Sequence, residues 1–441
     1  MKPLKNNVYL KLAAIIIIAL LLQIPTAMIK SLIYEREETQ RQAIHEVSSK
    51  WGYEQTITGP FITIPFLKQV KEYSDKDGSM KLTTVKDYIH ILPDELTIKG
   101  EIRPEKRERS IYEIVVYESI LQVSGKFNKL NLESTDVPID QIQFDKAFLT
   151  IGISDLRGIK NQIELDWNMQ SVVFNPGLET NHLVSSGLQS NVTMNYADSA
   201  DYSFSFNLNL KGSQFLYFTP VGKTTNIQLN SKWPNPSFNG AFLPDTRTTD
   251  DTGFAAQWQV LHLNRNYPQT WIGSKHSLTE SAFGVDLLLP VDNYQKSYRS
   301  IRYAILFIGF TFLVFFFIEV LNKVFIHPIQ YILVGIALVV FYTLLLSTSE
   351  YLTFNSAFIL SAIATLLLIA GYVKAILRSN QITFLISGIL TILYSFIFVI
   401  IQLQDYALLI GSIGIFIILG LVMYFSRKID WYNLNQQNSL D

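Results

Sequence analysis

The sequence predicts an α+β membrane protein: six transmembrane helices, one N-terminal and five C-terminal, with a large all-β, sandwich-like extracytoplasmic domain inserted between helices 1 and 2. Three observations carry that class. Apolar stretches long enough to cross a bilayer, about 20 residues at ~1.5 Å each, occur once near the N-terminus and five times after residue 300. Between them the hydrophobic period switches to two, the mark of half-buried strands. Charge is also lopsided. The 441 residues carry 36 Lys and Arg against 37 Asp and Glu, for a net charge of −1. Residues beyond 300 hold only Arg302, Lys323, Lys374, Arg378, Arg427 and Lys428 as bases, and Glu319, Glu350, Asp405, Asp430 and Asp441 as acids. That balance excludes a nucleic-acid binder led by a basic field. The lack of Cys excludes disulfides, thiol nucleophiles and Cys-ligated zinc.

The first span runs from about Tyr9 to Met28. Lys2, Lys5 and Lys11 give it the basic start of a signal peptide, but the apolar run exceeds an h-region of ~7–15 residues and no Ala-x-Ala exit follows. It reads as an uncleaved anchor. Residues 31–49 are charge-rich with a thin stripe of Ile33, Ala43, Ile44 and Val47, which predicts a helix leaving the membrane. Strands follow. Tyr202 to Leu210 alternates strictly, and 61–66, 84–92, 112–117, 148–153 and 285–289 read the same way. Turns at Asp77-Gly78, Asn175-Pro176-Gly177, Pro234-Asn235-Pro236 and Asn239-Gly240 punctuate them. Trp167, Trp233, Trp258 and Trp271 are expected in the core of this β region, which forms one or two units. Spans two to six cover about Tyr303–Leu321, Tyr331–Thr348, Phe354–Val373, Ile382–Gln402 and Tyr406–Phe425. Their short connections dictate an up-down bundle.

Orientation follows from the bases near span ends. A cytoplasmic N-terminus puts Lys2, Lys5, Lys11, Lys323, Lys374, Arg378, Arg427 and Lys428 inside, and leaves only the acids Glu350 and Asp405 in the short outer turns. Lys296, Arg299 and Arg302 fall on the outer side, next to a long translocated segment largely exempt from the rule. The chain then divides into 1–29 (cytoplasmic N-terminus and anchor), 30–300 (β-rich periplasmic domain, with 30–50 a helical linker), 301–426 (five-helix bundle) and 427–441 (cytoplasmic tail). Both termini are cytoplasmic.

No local catalytic signature stands out. The six His (His45, His90, His182, His262, His276, His327) lack metal-binding helical spacing; His45-Glu46 starts like a zincin motif, but position 49 is Ser. His90 and His262 sit in strand-like settings that suit a hydrogen-bonded structural role. Neither Gly-x-Ser-x-Gly nor Ser-x-x-Lys occurs. Gly222-Lys223-Thr224 ends like a phosphate loop, yet Tyr217 stands where its first Gly belongs, so it reads as a turn. Glu319, Glu350, Lys374 and Asp405 lie at span ends, where water reaches them. The span interiors hold only weak polars such as Thr311, Ser361, Thr365, Thr391 and Ser412, which suit helix packing more than transport. Five helices after one anchor do not divide into inverted halves. Glu350 is expected to pair with Arg302, Pro328 to open the third span after His327, and Asp430-Trp431-Tyr432 to anchor at the interface. Catalytic, cofactor-binding and metal residues are therefore none.

These stretches also resemble the CreD family of cell envelope integrity proteins, found in the inner membrane of Gram-negative bacteria. The matching pieces are Gly59-Pro60 with Ile64-Pro65, Asp155-Leu-Arg-Gly-Ile159, Trp233 to Pro244 and Gly253 to Trp258. In the bundle they are His327 to Gly335, Phe341-Tyr342, Ser349-Glu350 and Ile429 to Tyr432. Tyr351 departs from the pattern, where His is expected. The resemblance implies a protein under an envelope-responsive two-component system, associated with envelope integrity, colicin tolerance and β-lactam response, and it supplies no catalytic residues. The expectation is a non-catalytic inner-membrane protein whose partners are the lipid bilayer and periplasmic envelope or cell-wall components. The alternative is a transporter or a lipid- or lipopolysaccharide-handling protein. A polar path through the spans would mark transport, and a cleft of convergent acid, base or nucleophile an enzyme.

Overall fold

The computed structural model describes residues 8–73, 80–128, 132, 135–194, 201–289, 293–322, 324–403, 406–427 and 429. Lys2, Lys5, the Asp77-Gly78 turn, Lys323, Asp405, Lys428 and Asp430 to Tyr432 lie outside them. The chain forms two compact units, residues 1–41 with 291–441, and residues 42–290.

In the first unit, six helices are long and apolar enough to cross a membrane. The leading pair is α1 (Val8–Leu21) and α2 (Gln23–Trp51). They meet at Leu22, because Pro25 has no N–H to donate to the carbonyl of Leu21. The remaining helices are α3 (Asn293–Arg302), α4 (Ala304–Asn322), α5 (Pro328–Ser349), α6 (Phe354–Leu377), α7 (Asn380–Gln402) and α8 (Ala407–Ser426). Pro328 opens α5 as expected. His327 caps it, its Nδ1 accepting from the N–H of Ile329, while Gln330 reaches back to the N–H of His327. Rings from three helices pack at the centre: Phe307 and Phe341 lie 4.5 and 4.8 Å from Tyr394. Thr311, Thr365, Thr391 and Ser412 bond carbonyls of their own helices.

The second unit is β. Among its described residues, a nine-stranded sheet runs Pro236–Gly240, Phe283–Leu287, Phe215–Thr219, Gln55–Tyr73, Phe148–Ile153, Gly187–Asn191, Asn175–Pro176, with Met80–Ile91 also paired to Gln55–Tyr73 and Thr270–Ile272 paired to Met80–Ile91. An eight-stranded sheet runs Thr246–Asp250, Gly253–Leu261, Thr224–Ser231, Glu95–Arg109, Tyr112–Phe127, Tyr202–Ser213, Glu164–Trp167, Gln170–Val173. Pairing is antiparallel except where Gln55–Tyr73 meets Phe215–Thr219 and Glu95–Arg109 meets Thr224–Ser231. A single hydrophobic cluster joins the two sheets: Ile62, Ile64 and Leu149 from the first face Leu96, Ile98 and Leu121 from the second, and all four expected tryptophans belong to it. The alternation at Tyr202–Leu210 is realised as drawn, with Phe204, Phe206 and Leu208 buried and the residues between them turned outward.

The end of α2 is locked onto this unit. Gly52 closes the helix in a backbone conformation (φ +147°) where a side chain would strike the carbonyl of Lys211. Trp51 lies under the cations of Arg107 and Lys211, each 4.2 Å from its ring, and donates to the carbonyl of Tyr117. The Asp155–Ile159 run supplies the clamp. Asp155 accepts from the N–H of Tyr53 (2.9 Å) and from Arg157 Nε (2.9 Å), and Arg157 donates onward to the carbonyl of Ser49 (2.9 Å). Burial pushes the Asp155 carboxyl up, but the bonds from Arg157 and Tyr53 outweigh it and hold the group below its usual range.

Candidate functional site

The strand Met80–Ile91 separates two features. On one side, against the nine-stranded sheet, a cleft of about 470 Å³ is lined by Phe66, Lys68, Asp87, Asp136, Lys275 and neighbours. Lys68 bonds Asp87 at 2.7 Å, and the N–H of Tyr88 donates to the other carboxylate oxygen at 2.8 Å. Burial raises the Asp87 carboxyl, yet the Lys68 and Tyr88 bonds leave it below the ordinary range. Asp136 and Gly273 hold positive φ (52° and 71°), so both rims are tight turns. Two cations and two carboxylates thus line the cleft beside the apolar Phe66, Val137, Pro138 and Ile272.

On the opposite face, His90 is fully buried. Its Nδ1 lies 3.0 Å from Thr63 Oγ1 and its Nε2 lies 3.2 Å from His182 Nδ1. Trp271 packs 6.0 Å from its ring and carries His276 at 5.4 Å on the far side. Burial, then the nearby His182, drive the His90 imidazole down to about 3, so it stays neutral. The sequence placed His90 in a strand but had no means of bringing His182 to it across 92 residues. No group of three or more His, Cys, Asp or Glu fit to hold a metal ion occurs among the described residues.

Other singled-out residues take structural places. His45 meets the Tyr53 hydroxyl at 2.9 Å. His262 follows a strand and donates its N–H to the carbonyl of Lys223. Gly222-Lys223-Thr224 is a turn, the Gly222 N–H donating to Thr225 Oγ1 and Thr224 opening a strand.

Two expectations for the helical unit are corrected. Glu350 pairs with Arg36 at 3.6 Å rather than with Arg302, because α2 brings its own cation to that end of α5. Glu319 is not a water-washed end group. It is 9% exposed and ion-paired with Lys11, and it accepts from the Tyr331 hydroxyl (3.0 Å) and the Ile326 N–H (3.2 Å). Lys11 also lies 4.2 Å over the Phe325 ring. A charge near a span end gives hydropathy no hint that a helix 308 residues away supplies the counter-ion.

Residues 7–432 match the family described as inner membrane protein CreD. The chain belongs to the CreD family. It is 30% identical over 434 residues to inner membrane protein CreD of Escherichia coli (strain K12), covering 97% of this chain and 95% of that protein. Among solved structures, an M1 zinc metallopeptidase from Deinococcus radiodurans superposes on 38% of this chain and 38% of its own at 8% identity, with a TM-score of 0.19. That likeness is too slight to bear on fold or function. The CreD pieces named above fall into place: Gly59 (φ +114°) precedes Pro60 against the carbonyl of Thr150, and Gly253 (φ +145°) sits against the carbonyl of Ser231, positions where a side chain has no room. Trp233 donates to the carbonyl of Leu288.

Proposed function

We propose that this CreD-family chain is a non-catalytic inner-membrane protein that supports cell envelope integrity and the envelope stress response, including colicin tolerance and the β-lactam response. In this reading residues 30–300 lie in the periplasm, both termini are cytoplasmic, and the β unit meets envelope or cell-wall components through the charge-balanced cleft. The membership in an inner-membrane family, joined to a folded β unit between apolar spans, is the observation that carries it. The cleft groups favour binding over catalysis: Lys68 is tied to Asp87, and among the described residues no hydrogen bond joins either side chain to Ser274, the Ser of the lining, as a nucleophile–base pair would.

The test pairs capture with phenotype. A photo-crosslinking residue at Lys275, in the full-length protein in growing cells, is expected to trap a periplasmic or cell-wall component. A Lys68→Gln/Asp87→Asn variant is expected to insert normally yet fail to restore detergent and β-lactam resistance to a strain lacking the gene. Capture of cytoplasmic proteins alone, or full complementation by the variant, defeats the proposal.

A further inference from the structure

The bases that orientation leaves on the outer side, Lys296, Arg299 and Arg302, all belong to α3, which carries no acid in its ten residues. Lys30 joins them, its ammonium 5.3 Å over the Tyr298 ring, while Lys296 lies 5.6 Å over Phe354. Tyr34 packs on Tyr298 at 5.1 Å. Of the carboxylates nearby, Glu350 is taken by Arg36 and Glu37 by Arg41. Among the described residues, Lys30, Lys296, Arg299 and Arg302 make no ion pair.

The buried side of α3 sets two serines beside Tyr294 and Ile301. Ser297 is 2% exposed and Ser300 fully buried, and neither hydroxyl has a hydrogen-bond partner; nor does the buried Nε of Arg299. Four of α3's residues, Asn293 included, hold such unmatched polar atoms. Leaving a buried polar group unmatched is unfavourable, and three of these four groups are donors. A cationic helix offering donors without acceptors is matched by an acceptor-rich anion.

We infer that α3 and its neighbours form an oxyanion site, binding a phosphate group through Arg299 and the hydroxyls of Ser297 and Ser300, with Lys30, Lys296 and Arg302 supplying the surrounding field. A phospholipid headgroup and free phosphate share this chemistry. The amphipathic form of α3 at the head of a span favours the headgroup, since such helices lie in the interface with their bases toward anionic lipid. The inference stands apart from the role proposed for the β unit.

The experiment uses full-length protein in neutral detergent, with thermal unfolding followed as phosphatidylglycerol or inorganic phosphate is added. Saturable stabilisation by phosphatidylglycerol alone assigns the headgroup, and saturable stabilisation by inorganic phosphate assigns the free anion. Arg299→Gln is expected to raise the half-saturating concentration at least about tenfold. Ser297→Ala/Ser300→Ala separates binding from folding. Because the hydroxyls have no protein partner, this variant unfolds no earlier than wild type without ligand, yet its ligand-induced shift shrinks. The site is refuted if neither probe stabilises wild type, or if the variants keep the full shift.

Discussion

His90 shows how one buried side chain makes the β unit acid-sensitive. Its native imidazole is held at about 3, against 6.5 in the unfolded chain, by burial first and His182 second. Above about 6.5 neither state binds the proton and stability is unaffected. Below it only the unfolded chain is protonated, so stability falls as pH drops, by about 1.4 kcal/mol per unit and about 2 kcal/mol by about pH 5. His90→Gln is expected to be less stable at neutral pH but to show a flatter acid limb, read by thermal unfolding of the full-length protein in detergent. Parallel limbs for the two proteins would remove the claim. At Glu319 the same scale gives a different ledger. Glu319→Gln strands Lys11 among helices and is expected to cost about 3–5 kcal/mol, whereas Lys11→Met/Glu319→Gln recovers most of it in a thermal melt. Equal losses in the two variants would show that the ion pair does not hold α1 to the bundle. Neither pairing was legible from sequence. Alternation and hydropathy report what each residue prefers, not which distant residue meets it.

Elements were legible where one physical period dominated. The last five apolar spans were found to within a few residues because lipid demands length and composition together. Strands with one wet face, such as Tyr202–Ser213, announced themselves by alternation. Thr246–Asp250 is exposed along its whole length at a sheet edge, and the charged half of Glu95–Arg109 carries no buried face, so neither had a pattern to read. The Asp155–Ile159 run was visible as a motif, but its task was not, since it grips the end of a helix 108 residues upstream. That clamp joins a helix terminus to a sheet, so its loss belongs to the element rather than to one bond. Arg157→Ala frees the Ser49 carbonyl and leaves the Asp155 carboxylate with only its backbone donors, Tyr53 N–H and the N–H of residue 157, at an expected cost of about 1–3 kcal/mol. Hydrogen exchange should rise at residues 48–53 with the sheet interior unchanged. Uniform exchange across both sheets would mean that the clamp holds the fold rather than the helix end.

For the whole molecule, the distribution of charge decides the reading. Bases cluster at alternate span ends, and among the described residues between 52 and 290 no helix is long and apolar enough to cross a membrane. In the proposed topology the first span exports the β unit and the last five return the chain. The absence of Cys makes this directly measurable, because any thiol introduced is the only one present. Met169 and Leu263, 95% and 79% exposed on the β unit, are suited to carry it, as is Asn380 at the start of α7. In cells with a permeabilised outer membrane, an impermeant maleimide is expected to label Met169→Cys and Leu263→Cys at once, and Asn380→Cys only after the inner membrane is broken. Labelling of position 380 ahead of 169 would place the β unit in the cytoplasm. The proposed contact with the cell wall would then be physically out of reach, however well the cleft suited its ligand.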